Sequence, residues 1–132
     1  MTPRELCANY LAALNAGSLE RVLALFAPGA QVVSPLYGTL PAERFYRALL
    51  ADTGRSETRL LNVFLPAGET GQAQSVALHF HYRWTLSSGK VVEFECADVF
   101  QLTPDRNRFA ALTILYDTAP IRGEFEVGRR GT

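Results

Sequence analysis

One carboxylic acid, Asp98, lies in a row of otherwise apolar side chains. In the stretch ECADVFQL, every second residue from Cys96 onward gives Asp98, Phe100 and Leu102. A carboxylate on the buried face of a strand costs several kcal/mol unless it is paired or stays protonated. Either backbone groups or an arginine satisfy Asp98, or an apolar pocket keeps it neutral and able to donate a hydrogen bond. The second alternative would make it a functional group.

Tyr10 is the natural hydrogen-bond partner for this acid. It shares the inner stripe of a predicted first helix with Leu6, Ala13 and Leu14, because these residues recur at helical spacing. A buried phenol needs a hydrogen-bond partner. One buried tyrosine on a helix is ordinary core, but together with Asp98 it forms a candidate polar site.

Two other groups have residue types suited to chemistry. His79 and His81 share one face of a strand, yet two histidines without a third ligand support a metal site only weakly. We therefore predict no bound metal, and we expect a dimer interface or solvent at that outer face. Asp117 follows inward-facing Tyr116 and so faces outward by strict alternation. A bulge at the strand end would instead turn it inward as a candidate acid or base.

The sequence lacks the common motifs for cofactors and covalent catalysis. It contains no Gly-rich phosphate loop, no nucleophile elbow and no Cys-x-x-Cys pair, so we expect no cofactor. Cys7 and Cys96 lie far apart in apolar surroundings. That placement is typical of reduced core thiols rather than of a disulfide framework.

Composition and charge favour one ordinary globular domain. The 132 residues are 48% hydrophobic and 20% charged, with 13 Lys and Arg against 13 Asp and Glu. This neutrality argues against nucleic acid or an anionic membrane as a partner. With no secretory leader and no apolar run of ~20 residues, we expect a cytoplasmic protein. The predicted domain spans 1–132, with about 118–132 as a C-terminal tail.

The elements that must position these groups follow from hydrophobic periodicity. A first helix begins at a capping pattern around Thr2 and ends at 15–17. Ser18 caps a second helix that ends at 28–29. The buried stripe predicted for this second helix consists of Leu19, Val22, Leu23 and Phe26.

From residue 57 onward the hydrophobic period changes from helical to two. The remaining predicted elements are a strand at 30–34, a third helix at 41–51, and strands at about 58–66, 73–86, 90–102 and 108–117. Turn residues at 68–71, 88–89 and 104–107 join the last four strands as antiparallel neighbours in one twisted sheet.

Helices followed by a strand meander predict an α+β fold. The helices must cover one face of a curved sheet, because the strands alternate too cleanly for both faces to be equally buried. We therefore expect a cone-shaped antiparallel or mixed sheet, wrapped by three N-terminal helices around a mostly apolar pocket. The predicted pocket walls are Phe45, Phe80, Tyr82, Trp84, Phe100, Leu112, Ile114 and Tyr116.

Three segments of the chain, in their sequence and in their order, resemble a known family. They are NYLAALNAGSLERVLALFAPGAQVVSP, GTLPAERFYRALL and ECADVFQL, which resemble the ketosteroid isomerase branch of the nuclear transport factor 2-like superfamily over roughly residues 4–117. The segment LYDTAPIR is more similar to the SnoaL-like branch, which includes polyketide cyclases. The resemblance implies a cystatin-like α+β barrel that forms homodimers through the outer face of its sheet.

The resemblance also implies roles for single residues. Tyr10 falls on the tyrosine of the isomerase oxyanion hole, and Asp98 falls on its protonated aspartate. The general base of that family precedes a proline at the end of the first strand, where this chain has Ser34 before Pro35. A serine hydroxyl does not accept a proton at neutral pH without a base of its own. SnoaL-like cyclases place an acid/base aspartate on the last strand, which makes Asp117 a further catalytic candidate.

Two functions of different classes are consistent with these residues. The first is a small isomerase or cyclase that binds a hydrophobic, carbonyl-bearing ligand, with Tyr10 and Asp98 on the oxygen and Ser34 among the ligand contacts. The alternative is a non-catalytic ligand-binding or dimerisation module. A carboxylate within reach of the ligand's α-carbon would favour the enzyme, whereas a pocket whose polar groups are only Tyr10, Ser34 and Asp98 would favour the module.

Overall fold

The computed structural model describes residues 1–67 and 74–123. The predicted turn at 68–71 and most of the predicted tail, 124–132, lie outside the described residues. The elements in chain order are α1 (Pro3–Ala16), α2 (Leu19–Leu23), β1 (Phe26–Ser34), β2 (Gly38–Pro41), α3 (Ala42–Ala51), β3 (Thr53–Phe64), β4 (Ser75–Leu86), β5 (Val91–Leu102) and β6 (Phe109–Leu115).

One six-stranded sheet carries the fold, with the strand order β2-β1-β6-β5-β4-β3. Strand β1 pairs parallel to β6, and all other neighbouring strands pair antiparallel. The long hairpins β3–β4 and β4–β5 follow the period-two pattern of the sequence. The parallel pairing places β1, the first strand of the chain, beside β6, the last one. These features confirm the predicted α+β fold with a mixed sheet and N-terminal helices.

Helix α1 forms where the capping pattern predicts it. The Thr2 side chain accepts a hydrogen bond from the Glu5 N–H, and the Glu5 side chain accepts one from the Thr2 N–H. Gly17 ends the helix with a φ of 63°, a left-handed value that glycine adopts without strain. The helix buries one face against the sheet, including Leu6, Tyr10 and Leu14.

The second helix is shorter than predicted, and the first strand is longer. Helix α2 ends at Leu23, so Phe26 begins β1 instead of extending the helical stripe. Pro28 disfavours helical backbone in the residue before it, and the Leu25 carbonyl accepts the Phe109 N–H at 2.8 Å. Long-range strand pairing therefore prevails over the local helical spacing.

Two further differences lie around α3. Strand β2 was not predicted, because its four residues pair only with the end of β1. Strand β3 begins at Thr53 rather than near 58, directly after the last turn of α3. Its start is tight against β4, where a Cβ at Gly54 would meet the Leu86 carbonyl oxygen at 3.2 Å.

The two faces of the sheet differ in burial. On β4 and β5 the inward residues are mostly buried and alternate with more exposed ones. The helices cover this inner face and form the core with it. Across the outer face runs an uncharged row in register on five strands, made of Phe64, Ala77, Val99, Thr113 and Val33.

Within residues 1–67 and 74–123, no helix has the length and apolar character needed to cross a membrane. After β6 the chain forms a helical turn at 119–123. This turn docks on the core through Ile121, which is completely buried.

Candidate functional site

A cavity lies between α1, α3 and the inner face of the sheet. Its volume is about 40 Å³, enough for a few water molecules. Aromatic side chains dominate its surface, and its polar groups are hydroxyls, one thiol and one carboxyl. The lining residues are Tyr10, Leu14, Ser34, Tyr37, Phe45, Leu49, Phe80, Tyr82, Trp84, Phe94, Cys96, Asp98, Ile114 and Tyr116.

Asp98 is the buried acid of this cavity, with 1% of its surface exposed. Its position on β5 directs it inward between Cys96 and Phe100, and the Cys96 thiol donates a hydrogen bond to its Oδ1 over 3.0 Å. Burial raises the pKa of Asp98 to about 7, although hydrogen bonding from Cys96 and from Tyr10 lowers it in part. No arginine or lysine in the described parts of the chain forms an ion pair with Asp98.

Two tyrosines extend the polar network from Asp98. The hydroxyls of Tyr10 on α1 and Tyr46 on α3 share a hydrogen bond of 2.7 Å. Burial is the largest cause that raises the pKa of each phenol well above its ordinary value, so both stay protonated. The chain Tyr46–Tyr10–Asp98–Cys96 therefore presents O–H and S–H donors around a carboxyl group that is itself about half protonated at neutral pH.

Ser34 ends β1 beside the cavity. Its Oγ accepts the backbone N–H of Leu36 and of Tyr37, each over 3.2 Å. This turn uses the oxygen lone pairs and leaves the hydroxyl proton as a donor. The geometry thus agrees with the chemical argument that Ser34 does not serve as a proton acceptor.

Three further hydrogen bonds hold aromatic side chains of the cavity wall. The Tyr37 hydroxyl donates to Asp52 Oδ2 over 2.5 Å. The Tyr82 and Ser56 hydroxyls share a bond of 2.8 Å, and the Trp84 indole N–H donates to the Thr53 hydroxyl over 2.8 Å. These bonds fix large aromatic rings that would otherwise have rotational freedom.

The structure brings most of the predicted site residues together. Tyr10 and Asp98 line one cavity together with Ser34, and so do six of the predicted wall residues: Phe45, Phe80, Tyr82, Trp84, Ile114 and Tyr116. Phe100 stacks on Phe109 at 3.8 Å in the core, and Leu112 is buried outside the lining. Asp117 is exposed, and its Oδ1 accepts the Ala119 N–H over 3.0 Å at the helical turn.

Several lining residues were not assigned to the site from the sequence. Cys96 and Phe94 share the inward face of Asp98 on β5, so strict alternation could have placed both at the cavity. Leu14 and Leu49 follow from helical spacing in the same way. Tyr37 lies in a turn, where no periodicity indicates its direction.

The paired histidines remain on the outer face. His79 contacts Glu95 Oε1 through Nε2 at 2.7 Å, and His81 contacts Glu93 Oε1 at 3.4 Å. Across the described residues, no group of three His, Cys, Asp or Glu side chains is arranged to hold a metal ion.

Replacing Cys96 with valine should raise the pKa of Asp98 above about 7. Valine is similar in volume but donates no hydrogen bond to the carboxylate, and a hydrogen bond worth about 0.5–1.5 kcal/mol corresponds to a shift of up to about one pKa unit. A ¹³C NMR titration of the Asp98 carboxyl measures this shift. Cys7→Val is the control, because Cys7 is a buried thiol without this bond. An unchanged or lower pKa in Cys96→Val would contradict the assigned contact.

The sequence and the structure were each compared with those of known proteins. The sequence matches the family described as SnoaL-like domain over residues 7–110. No curated protein matches it at a significant level.

Solved structures of low sequence identity share the fold. A protein from Catenulispora acidiphila with a ketosteroid isomerase-like fold, crystallised with trimethylamine, aligns with a TM-score of 0.75 and 14% identity over 96% of this chain and 95% of its own. PrhC from Penicillium brasilianum aligns with a TM-score of 0.75 and 14% identity over 98% and 93%. A SnoaL-like protein of unknown function from Burkholderia thailandensis aligns with a TM-score of 0.64 and 20% identity over 86% and 92%.

Proposed function

The chain belongs to the SnoaL-like domain family of the nuclear transport factor 2-like superfamily, and on this premise we propose that its cavity binds a small, hydrophobic, carbonyl-bearing ligand. The ligand oxygen accepts hydrogen bonds from the Tyr10 hydroxyl and from protonated Asp98. The same two donors stabilise the negative charge that forms on that oxygen when a neighbouring carbon loses a proton. The activity we propose is therefore of the isomerase or cyclase kind.

The single observation that carries this proposal is the carboxyl group of Asp98. It is buried among aromatic side chains, has no cationic partner in the described parts of the chain, and has a pKa raised to about 7 by burial. An acid with no role in binding or catalysis would be expected at such a position only with a partner that satisfies its charge.

The size of the cavity narrows the ligand class. A volume of about 40 Å³ is well below the roughly 300–1,000 Å³ typical of sites for drug-sized ligands. A monocyclic ketone therefore suits this cavity better than a steroid, because it requires much less movement of the wall residues.

A non-catalytic ligand-binding module is the second candidate. It is favoured by Asp98 being the one carboxyl group among the lining residues in the described parts of the chain. The engagement of Ser34 Oγ by two backbone N–H groups also favours it. Such a protein would bind the ketone without converting it.

Binding of cyclohexanone and of methylenecyclohexane tests the proposed recognition. The two compounds have nearly the same shape, but only the ketone carries an oxygen. We expect Tyr10→Phe to weaken ketone binding about 5- to 10-fold, as expected for the loss of one hydrogen bond of about 1 kcal/mol, and to leave hydrocarbon binding unchanged. Equal affinities of the wild-type protein for both compounds in an NMR titration would refute the proposal.

The proposal includes a homodimer formed through the outer face of the sheet. The uncharged row from Phe64 to Val33 crosses this face, and Phe64, Val33 and nearby Leu115 are 55%, 43% and 53% exposed. Contiguous apolar surface of this kind usually marks a contact between proteins.

Val99→Arg should convert the dimer to a monomer. An arginine at the centre of the row would place an unpaired charge inside the interface. Light scattering at micromolar concentration measures the mass, and Asn9→Arg on the exposed side of α1 is the matched control. A wild-type protein that is monomeric under these conditions would exclude the proposed interface.

A further inference from the structure

A carboxylate behind the cavity wall is connected to the cavity by one tyrosine. Asp52 follows the last turn of α3, is half-buried and does not line the cavity. Its Oδ2 accepts the hydroxyl proton of Tyr37 over 2.5 Å, and Tyr37 does line the cavity. The phenol therefore lies between Asp52 and the cavity.

The backbone holds Tyr37 next to the position where a base is missing. The Tyr37 N–H donates to Ser34 Oγ over 3.2 Å, so the two residues belong to the same turn after β1. The Tyr37 ring packs edge-on against Phe45, with ring centroids 5.5 Å apart. These contacts fix the ring between the end of β1 and α3, in the lining of the cavity that Tyr10 and Asp98 also line.

The hydrogen-bond direction determines what Tyr37 can do. Its hydroxyl group donates a hydrogen bond to Asp52. A phenol oxygen that donates a hydrogen bond can still accept one. Burial first, and then the hydrogen bond to Asp52, raise the pKa of Tyr37 above its ordinary value, so the residue does not ionise to a phenolate on its own. It is suited instead to accept one proton while it passes another to Asp52.

We propose that Tyr37 and Asp52 together serve as the general base that Ser34 does not provide. This inference rests on the proposed function, because it requires a carbonyl ligand in the cavity. The α C–H bond of the ketone breaks, and its electron pair forms the carbon–carbon double bond of an enolate whose oxygen is held by Tyr10 and Asp98. The α-proton bonds to Tyr37 Oη as the phenolic proton moves to Asp52 Oδ2. Reversal of the relay returns a proton to the same carbon or to a conjugated one, so no other reactant is consumed.

Exchange of the α-hydrogens of cyclohexanone in D₂O, followed by ¹H NMR, tests the relay. The wild-type protein should exchange them faster than buffer alone. Because a general base contributes about 10²–10⁴-fold, Tyr37→Phe and Asp52→Asn should each slow the exchange by at least about 10²-fold. Ketone affinity should stay within a factor of about 3 in both variants, since the lost group acts on the proton and not on the bound oxygen. Asp52→Glu should restore part of the exchange, and Asp105→Asn in a remote turn is the matched control.

The outcomes separate this inference from the proposed function. Selective ketone binding without exchange above buffer overturns the relay and leaves the binding proposal intact. Exchange that persists in Tyr37→Phe also overturns the relay, and this variant decides the question if Asp52→Asn does not fold. Loss of exchange with unchanged ketone affinity supports the relay. Equal binding of cyclohexanone and methylenecyclohexane overturns both proposals.

Discussion

Asp98→Asn should stabilise the protein at pH 8 by about 4 kcal/mol, and should leave its stability at pH 4 nearly unchanged. The value follows from a pKa raised from 3.8 to about 7, at about 1.36 kcal/mol for each pKa unit. The unfolded chain releases the Asp98 proton near 3.8, whereas the folded protein retains it until about pH 7. Stability therefore falls as pH rises through this window and is constant above it. Asparagine keeps the shape of the neutral acid but never ionises.

Denaturant unfolding at several pH values measures this difference. The wild-type curve should lose stability between pH 4 and pH 7 relative to Asp98→Asn, and the two should run parallel above that range. Asp117→Asn is the matched control, because Asp117 is an exposed carboxylate outside the cavity. Parallel curves for the wild type and Asp98→Asn at all pH values would show that Asp98 ionises in the folded protein at its ordinary pKa.

With the proposed relay removed by Tyr37→Phe, adding Ser34→Asp should accelerate conversion of 3-cyclohexen-1-one to its conjugated isomer by about 10²-fold, because a direct carboxylate base contributes about 10²–10⁴-fold over a site without a base. Aspartate can preserve the turn by accepting the Leu36 and Tyr37 N–H groups, as serine does. Its second oxygen then points to the cavity. A misplacement of about 1 Å can cost 10²-fold, so the lower end of the range is expected. The new negative charge also favours the protonated form of Asp98.

In the same Tyr37→Phe background, two variants separate a base effect from a change of shape. Ser34→Asn can form the same turn but does not accept the proton, so it should show no gain in the absorbance assay for the conjugated product. Adding Tyr10→Phe to Ser34→Asp should remove a large part of the gain, because the enolate oxygen loses a donor. An equal gain in Ser34→Asn, or none in a folded Ser34→Asp protein, would mean that the cavity does not align the α-carbon with position 34.

Local periodicity was sufficient to predict that Asp98 and Tyr10 both face the core. Strand alternation directs Asp98 inward, and helical spacing directs Tyr10 to the same core, so both could be assigned from neighbouring residues. The same argument placed Phe80, Tyr82 and Trp84 on one wall. The α+β fold followed from the change of period near residue 57.

Non-local contacts account for what the sequence did not predict. The start of β1 at Phe26 depends on parallel pairing with β6, far along the chain. The Tyr10–Tyr46 hydrogen bond and the Tyr37–Asp52 hydrogen bond each join two segments that are distant in the sequence. Only the folded structure shows that these segments are in contact. Tyr37 lies in a turn of irregular backbone, so neither period applies to it. Residues of this kind complete the cavity and are the ones that pattern analysis overlooks.

Titration of the Asp98 carboxyl carbon by ¹³C NMR shows whether this buried acid offers a proton to the cavity near neutral pH. We expect a midpoint at about pH 7, because burial raises the pKa of the carboxyl group. A midpoint at or below the ordinary value of about 3.9 would contradict this expectation, because Asp98 would then be an ionised carboxylate that donates no hydrogen bond to a ligand.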